Sequence, residues 1–231
     1  QSLGVAAEAF STPQPVLAAE LSLVHQQDYI DSITVGTISP SAMRRIGFPW
    51  SQQLVDRSLL SVAGTRLCAE LALNHGLAIH LSGGYHHAIF KDEPAIITAS
   101  IHCEKNFPAR KIDSDWDIGL AKQCNDAEYL EAVEQSLHSL LNWHQPELVL
   151  YDAGVDIHLH DELGLLAIST NALYQRDLMV LNACRSRNIP VAAVIGGGYQ
   201  RDIAALTELH MQLFKAAFTV AGLALGAEIK T

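Results

Sequence analysis

The chain has 231 residues and a mass of 25.1 kDa, which is enough to bury about 70% of the surface of the unfolded chain. Hydrophobic residues make up 49% and charged residues 17%, so a disordered chain and a small disulfide-stapled scaffold are excluded. Fifteen Lys and Arg against twenty-five Asp and Glu give a net charge of −10. This charge argues against unaided binding to nucleic acid or to an anionic membrane.

The cysteines and the apolar segments indicate a cytoplasmic protein. The four cysteines lie far apart and form no C-x-x-C pair, which is typical of reduced thiols. No signal-peptide pattern opens the sequence, and no run of 18 apolar residues occurs that would span a bilayer. The cysteines are Cys68, Cys103, Cys124 and Cys184.

The first part of the chain predicts two helices and a strand. Residues 16–24 form a short helix with a mixed apolar face, and a polar, turn-rich stretch follows. Ser51 can cap a long helix that reaches about Asn74, where Gly76 ends it in a left-handed conformation. The apolar run 77–82 then predicts the first strand.

The second part of the chain alternates strands and helices. We predict that the charged, Pro-containing residues 104–117 form a loop. The strand at 147–151 is nearly all apolar, which predicts burial on both faces. Strands are predicted at 95–102, 147–151 and 190–195, and helices at 126–143, 171–188 and 203–225.

This alternation predicts an α/β fold of three layers, in which a mainly parallel sheet is flanked by helices. We expect one domain over residues 1–231. In such folds a ligand site forms at the carboxyl ends of the strands. Three polar segments with glycines follow predicted strands, at 83–87, 152–156 and 196–199, so they should converge on one rim.

His86 and His87 follow two glycines, Gly83 and Gly84. Consecutive side chains on a regular strand point to opposite faces, so the glycines must let the backbone turn if both imidazoles serve one site. Such a pair could divide proton abstraction and proton donation, because histidine titrates near neutrality. The alternative is two ordinary polar residues at the end of a strand.

Asp156 follows the buried strand, where a carboxylate needs polar partners or a metal. Asp156 and His158 are two residues apart and could face the same side of an extended segment as two Zn²⁺ ligands. Asp161 and Gly164 favour the other interpretation, in which a loop turns into the next helix and its polar residues are caps.

The segment from Gly196 to Tyr199 allows three interpretations. Its backbone N–H groups could cradle a phosphate, although it lacks the P-loop Lys-Ser/Thr and the spacing of a dinucleotide fingerprint. The phenol of Tyr199 could instead donate a hydrogen bond to a carbonyl oxygen that gains negative charge. In the third interpretation, the tyrosine simply packs over a glycine-rich turn.

Three motifs in this order, Gly83-Gly84-Tyr85-His86-His87-Ala88, Tyr151-Asp152-Ala153-Gly154-Val155-Asp156 and Gly196-Gly197-Gly198-Tyr199, resemble the histone deacetylase family. That family shares its fold with arginases. Arg44-Arg45-Ile46-Gly47-Phe48-Pro49-Trp50 and Asp161-Glu162-Leu163-Gly164 are similar to the class IV branch and its bacterial relatives. The resemblance extends from about His25 to Phe218.

The resemblance implies hydrolysis of an N-acyl amide, in an acyl-lysine peptide or a small acylated amine, by zinc-bound water. By the same resemblance His87 is the general base and acid, and His86 is its electrostatic partner. Asp156 is a zinc ligand and Tyr199 holds the oxyanion, whereas His158 has no ligand role. Another divalent metal could replace zinc, and a structural monovalent cation is possible. Gly84, Gly197 and Gly198 are the expected substrate-binding glycines.

The sequence departs from the family pattern after Ala88. The family carries there an Asp-x-Asp-x-His strand end with the other two zinc ligands, whereas Ile89 follows Ala88 at once in this chain. The family's N-terminal strand with a His-Arg-Phe-Pro-like segment is also absent. Either the block is lost and the protein is a metal-free relative, or the sequence omits residues that the molecule contains. We favour the second, because losing central strands would unpair their neighbours.

Three hypotheses about function follow. The first is a zinc-dependent deacylase, and the second is an inactive relative that binds acyl-lysine or a protein partner. The third is a nucleotide-binding α/β protein that uses residues 196–199. The sequence does not determine the oligomeric state or the acyl chain.

Overall fold

The structure is a computed structural model, and it describes residues 9–82, 90, 93–106, 111 and 113–222. The backbone divides into two compact units. One is Ser11–Leu67, and the other is formed within Gln1–Phe10 and Cys68–Thr231. The ligand-bearing block expected after Ala88 does not occur in the 231-residue sequence. The Ala88–Ile89 junction itself lies outside the described residues.

The unit Ser11–Leu67 is helical. It contains α1 (Ala18–Leu21), α2 (Gln27–Val35), α3 (Pro40–Ile46) and the first part of α4 (Gln52–His75). The hydroxyl of Ser51 accepts the N–H of Leu54 at 3.1 Å, as expected of the cap of α4. The helix predicted at 16–24 is shorter than expected, and the sequence analysis did not predict α2 and α3.

Local signals for α3 are nevertheless present in the sequence. Ser39 caps this helix by accepting the N–H of Ala42, and Pro40 occupies its first turn. Gly47 ends it with φ of +86°. The segment from Arg44 to Trp50, expected to mark a family branch, therefore forms the end of a helix and the turn after it.

The second unit contains the strands and the remaining helices. Their positions agree with the prediction to within a few residues, apart from the strand at 116–120, which was not predicted and begins within the last two residues of the predicted loop at 104–117. The elements are β1 (Leu77–His80), β2 (Ala99–Cys103), β3 (Trp116–Leu120), α5 (Asp126–His144), β4 (Val149–Asp152), α6 (Thr170–Arg185), β5 (Val191–Val194) and α7 (Ile203–Ala221).

Strands β1, β5 and β4 form a parallel sheet in that order. All four residues of β5 are buried, because it is the central strand. The expectation that the strand now labelled β4 is buried on both faces was wrong: Leu150 is 40% exposed, and burial alternates along the strand. Among the described strands, β4 pairs with β5 alone. Its other edge therefore has no partner strand among the described residues.

Helices cover both faces of the sheet at β5. Ala192 packs against Cys68 and Ala72 of α4 on one side. Val191 and Ala193 pack on the other side, in a cluster with residues of α5, α6 and α7. This arrangement confirms the predicted α/β fold with a parallel sheet flanked by helices.

Strands β2 and β3 form a second parallel pair. Exposure alternates along β3: Asp117 and Gly119 are exposed, whereas Trp116, Ile118 and Leu120 are partly buried. This alternation is a strand pattern that the charged residues of the segment obscured in the sequence.

All four cysteines are buried free thiols. Burial raises the pKa of Cys184 to about 11, as it does for Cys68, where backbone hydrogen bonds partly oppose it. Within the described ranges, no helix combines the length and apolar character needed to cross a membrane.

Candidate functional site

The segments after β4 and β5 run together beyond the ends of their strands. The N–H of Ala153 donates to the carbonyl of Val194, and the N–H of Val155 donates to the carbonyl of Gly196, both at 3.0 Å. Because the two strands are parallel and in register, their carboxyl ends lie at one edge of the sheet. Two of the three predicted rim segments therefore meet there.

The carboxylate of Asp156 lies against the backbone of the second segment. A Cβ atom on Gly197 would overlap this carboxylate, and one on Gly154 would lie 2.9 Å from Asp156 Oδ1. Gly197 also has φ of +59°, which L side chains rarely adopt. Glycine is thus required for the two segments to approach so closely.

Burial destabilises the charged form of Asp156. It raises the pKa of Asp156, the nearby charge of Asp161 raises it further, and Asp156's own backbone and Arg176 oppose the shift. A partly buried carboxylate at the end of a strand has the chemistry of a cation ligand. Asp152, four residues earlier, faces Gly196, where an added Cβ would overlap its carboxylate.

Tyr199 lies two residues beyond Gly197 and is 53% exposed. Its backbone N–H donates to Oδ2 of Asp161 at 2.7 Å. Gly198 has φ of +98°, and a Cβ there would come within 2.8 Å of Val155 and nearer still to Leu206. The two glycines before Tyr199 therefore pack closely against neighbouring residues, while Tyr199 itself remains accessible.

A turn between Asp161 and Gly164 contacts both segments of the site. Oδ1 of Asp161 accepts the N–H groups of Leu163 at 2.9 Å and of Gly164 at 2.7 Å. Gly164 packs so closely on the carbonyl of Asp156 that a Cβ would overlap it. From the sequence, Asp161 was expected only as a cap or a family marker, and its contact with Tyr199 was not predicted.

A buried ion pair lies beneath the Asp156 segment. Arg176 and Asp177 are 4% and 1% exposed, and their charged groups are 2.9 Å apart. The hydroxyl of Tyr151 donates to Asp177 at 2.5 Å, and Arg176 donates to the carbonyl of Gly154 at 2.6 Å. Sequence reasoning missed both charged residues, because nothing in a helical pattern tells a buried Arg-Asp pair from an exposed one.

His158 is 5% exposed, and the protein itself uses both of its ring nitrogens. Nε2 lies 3.1 Å from the hydroxyl of Thr170, and Nδ1 accepts the N–H of His160 at 3.2 Å. Burial lowers the pKa of His158, so the ring is held neutral. These bonds support its omission from the predicted zinc ligands.

Gly84, His86 and His87 lie outside the described residues. The chain leaves β1 at the edge of the sheet where the other two segments meet, because His80 pairs in register with Val194. The N–H of Ile195 donates to the carbonyl of His80 at 3.3 Å. The convergence of the histidine pair with Asp156 and Tyr199 therefore remains a prediction.

The α7 N-terminus argues against a phosphate site after β5. The carboxylate of Asp202 accepts the N–H groups of Ala204 at 2.9 Å and Ala205 at 3.1 Å. These are the amides that a phosphate at this helix N-terminus would use, and the carboxylate would repel it.

A catalytic zinc site needs about three protein ligands. Asp156 fits the role of one ligand by its chemistry and burial. The part of the chain that the structure describes contains no group of three His, Cys, Asp or Glu residues that could hold a metal. These residues by themselves do not complete a zinc site.

The sequence matches the model of the histone deacetylase domain over residues 88–214. This chain belongs to the histone deacetylase family. An uncharacterized protein of Picosynechococcus sp. is 40% identical over 250 residues, covering 89% of this chain and 83% of the relative. Histone deacetylase 2 of Arabidopsis thaliana is 25% identical, covering 85% of this chain and 65% of that protein. The acetoin utilization protein AcuC of Staphylococcus aureus is also 25% identical, covering 83% and 67%.

Solved structures of deacetylase homologues share the fold. The homologue from Aquifex aeolicus superposes with a TM-score of 0.73 at 20% identity, covering 92% of this chain and 72% of that one. A homologue complexed with SAHA gives a TM-score of 0.72 at the same identity and coverage. The match to the Picosynechococcus protein spans 250 aligned positions, more than the 231 residues present here. That relative therefore has residues with no counterpart in this deacetylase-family chain, and assignment to class IV stays a prediction.

Proposed function

We propose that this deacetylase-family protein hydrolyses the amide bond of an N-acylated lysine or of a small acylated amine. The observation that carries the proposal is the contact between the Asp156 carboxylate and Gly197, in the loop that bears Tyr199. It supports the proposal because the carboxylate proposed as a metal ligand and the loop of the proposed hydrogen-bond donor lie at one edge of the sheet. Both are needed to attack a neutral amide.

Each residue at the rim has a role in this proposal. Tyr199 donates its phenolic hydrogen bond to the acyl carbonyl oxygen as negative charge develops there. His87 moves the proton from the attacking water to the leaving amine, and the charge of His86 supports it. Gly197, Gly198 and Gly84 are assigned to substrate binding, and Gly84 lies outside the described residues.

The metal enters the proposal through Asp156. Zinc or another divalent metal, held by Asp156 and by donors outside the described residues, would polarise the amide carbonyl and activate water.

The second candidate is a metal-free relative that binds acyl-lysine without cleaving it. The observation in its favour is that the described residues supply one zinc ligand and no set of three. Binding of the acyl group requires only the rim around Gly197 and Tyr199, whereas hydrolysis requires the metal as well.

Two measurements on the 231-residue chain separate the candidates. The first is bound zinc together with acetate release from an acetyl-lysine peptide, with and without a hydroxamate inhibitor. The second is calorimetric binding of the same peptide in the presence of a chelator. A hydrolase retains zinc and releases acetate in a hydroxamate-sensitive manner, and Asp156→Asn lowers both zinc content and rate.

Peptide binding that persists in chelator, with no acetate release, would establish the second candidate. A chain that does not bind the peptide and releases acetate neither from it nor from a small acetylated amine contradicts both candidates. The matched variant for Asp156→Asn is Asp126→Asn, since Asp126 is also a carboxylate that bonds a neighbouring segment, but at Ser169. It should leave zinc content unchanged.

A further inference from the structure

The turn from Asp161 to Gly164 is the structural link between the two described parts of the site. Gly164 packs directly on the backbone carbonyl of Asp156. Asp161 binds the backbone N–H of Tyr199 at 2.7 Å. The same short turn therefore contacts the backbone of Asp156 and the backbone of Tyr199.

The carboxylate of Asp161 accepts three backbone hydrogen bonds. Oδ1 of Asp161 accepts the N–H groups of Leu163 and Gly164 and so closes the turn, while Oδ2 remains to accept the N–H of Tyr199. Asn or Ser, the other common turn-closing residues, would leave no second acceptor oxygen in that place. Only an acidic side chain here holds the turn and the tyrosine loop together.

The charge of Asp161 is also costly at this position, because it lies near a largely buried carboxylate and raises the pKa of Asp156. A residue that served only to close the turn would do so more favourably without the charge. A second, weaker connection exists at Glu162, which accepts the N–H of Arg201 at 3.2 Å and pairs with its exposed guanidinium.

We propose that Asp161 is a positioning residue, whose carboxylate sets the location of Tyr199 relative to Asp156 by holding the tyrosine backbone to the turn. Its effect on catalysis rests on the proposed function, but its effect on the Tyr199 loop does not. Tyr199 is half exposed and follows two left-handed glycines, so the bond from Asp161 is the stronger of the two that restrain its loop, the other being the bond from Glu162 to Arg201.

Amide hydrogen exchange tests the positioning directly and independently of activity. In Asp161→Asn the amide oxygen can still close the turn, but its NH₂ group cannot accept from Tyr199. We expect the Tyr199 N–H to exchange about tenfold to a hundredfold faster, as for loss of a hydrogen bond to a charged group, while amides of β5 keep their protection. Asp126→Asn, which also loses a bridging carboxylate, should leave Tyr199 exchange unchanged.

A double-mutant cycle with Tyr199→Phe then tests the link to function. Acetate release is the readout, or acetyl-lysine affinity if the chain only binds. Asp161→Asn alone should lower kcat about tenfold with little change in KM, or weaken binding by a similar factor. In the Tyr199→Phe background, Asp161→Asn should change neither kcat nor the affinity for the peptide.

Unchanged exchange at Tyr199 in Asp161→Asn overturns the proposal, and so do additive effects in the cycle. The wild type could neither turn over nor bind the peptide while Tyr199 still exchanges faster in Asp161→Asn. Asp161 is then still the residue that positions Tyr199. That result removes the proposed function alone.

Discussion

The guanidinium of Arg176 donates a hydrogen bond of 2.6 Å to the carbonyl oxygen of Gly154, two residues before Asp156. The same side chain is paired with Asp177, which accepts the hydroxyl of Tyr151 on β4. A charged group on α6 thus supports both the last strand residues and the loop that carries the predicted metal ligand. Since the pair is buried, its geometry is fixed by packing as well as by charge.

Arg176→Met should destabilise the fold strongly, because it leaves Asp177 buried with its charge unpaired. The expected loss in the free energy of unfolding is about 3–5 kcal/mol, measured by urea denaturation. Arg201→Met is the matched control, since Arg201 forms its ion pair with Glu162 at the surface, with 91% of its side chain exposed. Its loss should stay below about 1 kcal/mol. Equal losses in the two variants would show that the buried ion pair contributes no more to stability than the surface pair.

Tyr199→Phe should reduce acetate release by about a hundredfold or more, because it removes one hydrogen bond to the developing oxyanion. The ring is 53% exposed, so the free energy of unfolding should change by less than about 0.5 kcal/mol. Initial rates and thermal denaturation of the same preparations give both numbers. An unchanged rate would remove Tyr199 from the mechanism.

Gly197→Ala should cost more stability than another substitution at a left-handed glycine. Gly76 has φ of +87° with nothing within 4 Å of an added Cβ, so Gly76→Ala carries only backbone strain, about 1–2 kcal/mol. Gly197→Ala adds overlap with the Asp156 carboxylate to a similar strain. Urea denaturation of the two variants compares their losses in the free energy of unfolding.

The functional effects of the two glycine variants should differ as well. Gly197→Ala should lower zinc content or peptide binding, since the Asp156 carboxylate must move to admit the methyl group, whereas Gly76→Ala should retain both. Equal stability and equal binding in the two variants would contradict the close contact between the segments.

Stability should fall as the pH is lowered below about 6.5, the ordinary pKa of histidine. Burial lowers the pKa of His210, the charge of Arg176 lowers it further, and Asp177 opposes the shift. The native state therefore binds a proton less readily than the unfolded chain. The contribution of His210 is complete above the unfolded pKa and is lost as the pH falls toward the folded pKa.

His210→Gln should reduce this pH dependence, measured by urea denaturation at about pH 8 and about pH 5. The comparison at the higher pH gives the packing cost of the substitution, since both side chains are then neutral. Some dependence should remain, because burial also lowers the pKa of His80. A slope identical to that of the wild type would show that His210 is not protected from protonation in the native state.

Local signals in the sequence were sufficient for most elements of the α/β unit. The buried β5, the capped α4 and the amphipathic α5 each carry their own pattern, and the structure has them within a few residues of prediction. The strand β3 was missed because it begins at the end of the charged segment 104–117, and α2 and α3 because their short apolar faces are weak signals. The motifs also led to the deacetylase family, whose model the chain matches.

The sequence by itself determined the fold class, the glycine segments after the strands, and the residue types available for chemistry, because these depend on local pattern and on recognisable motifs. Only the tertiary structure decided that Asp156 meets Gly197, that Asp161 holds Tyr199, and that Arg176 is buried beneath them. The partners in these contacts are separated by 22 to 41 positions in the chain, so chain spacing carries no information about them. Parallel pairing of β4 with β5 brings the segments together, and the desolvation of their charges then fixes which groups must bond.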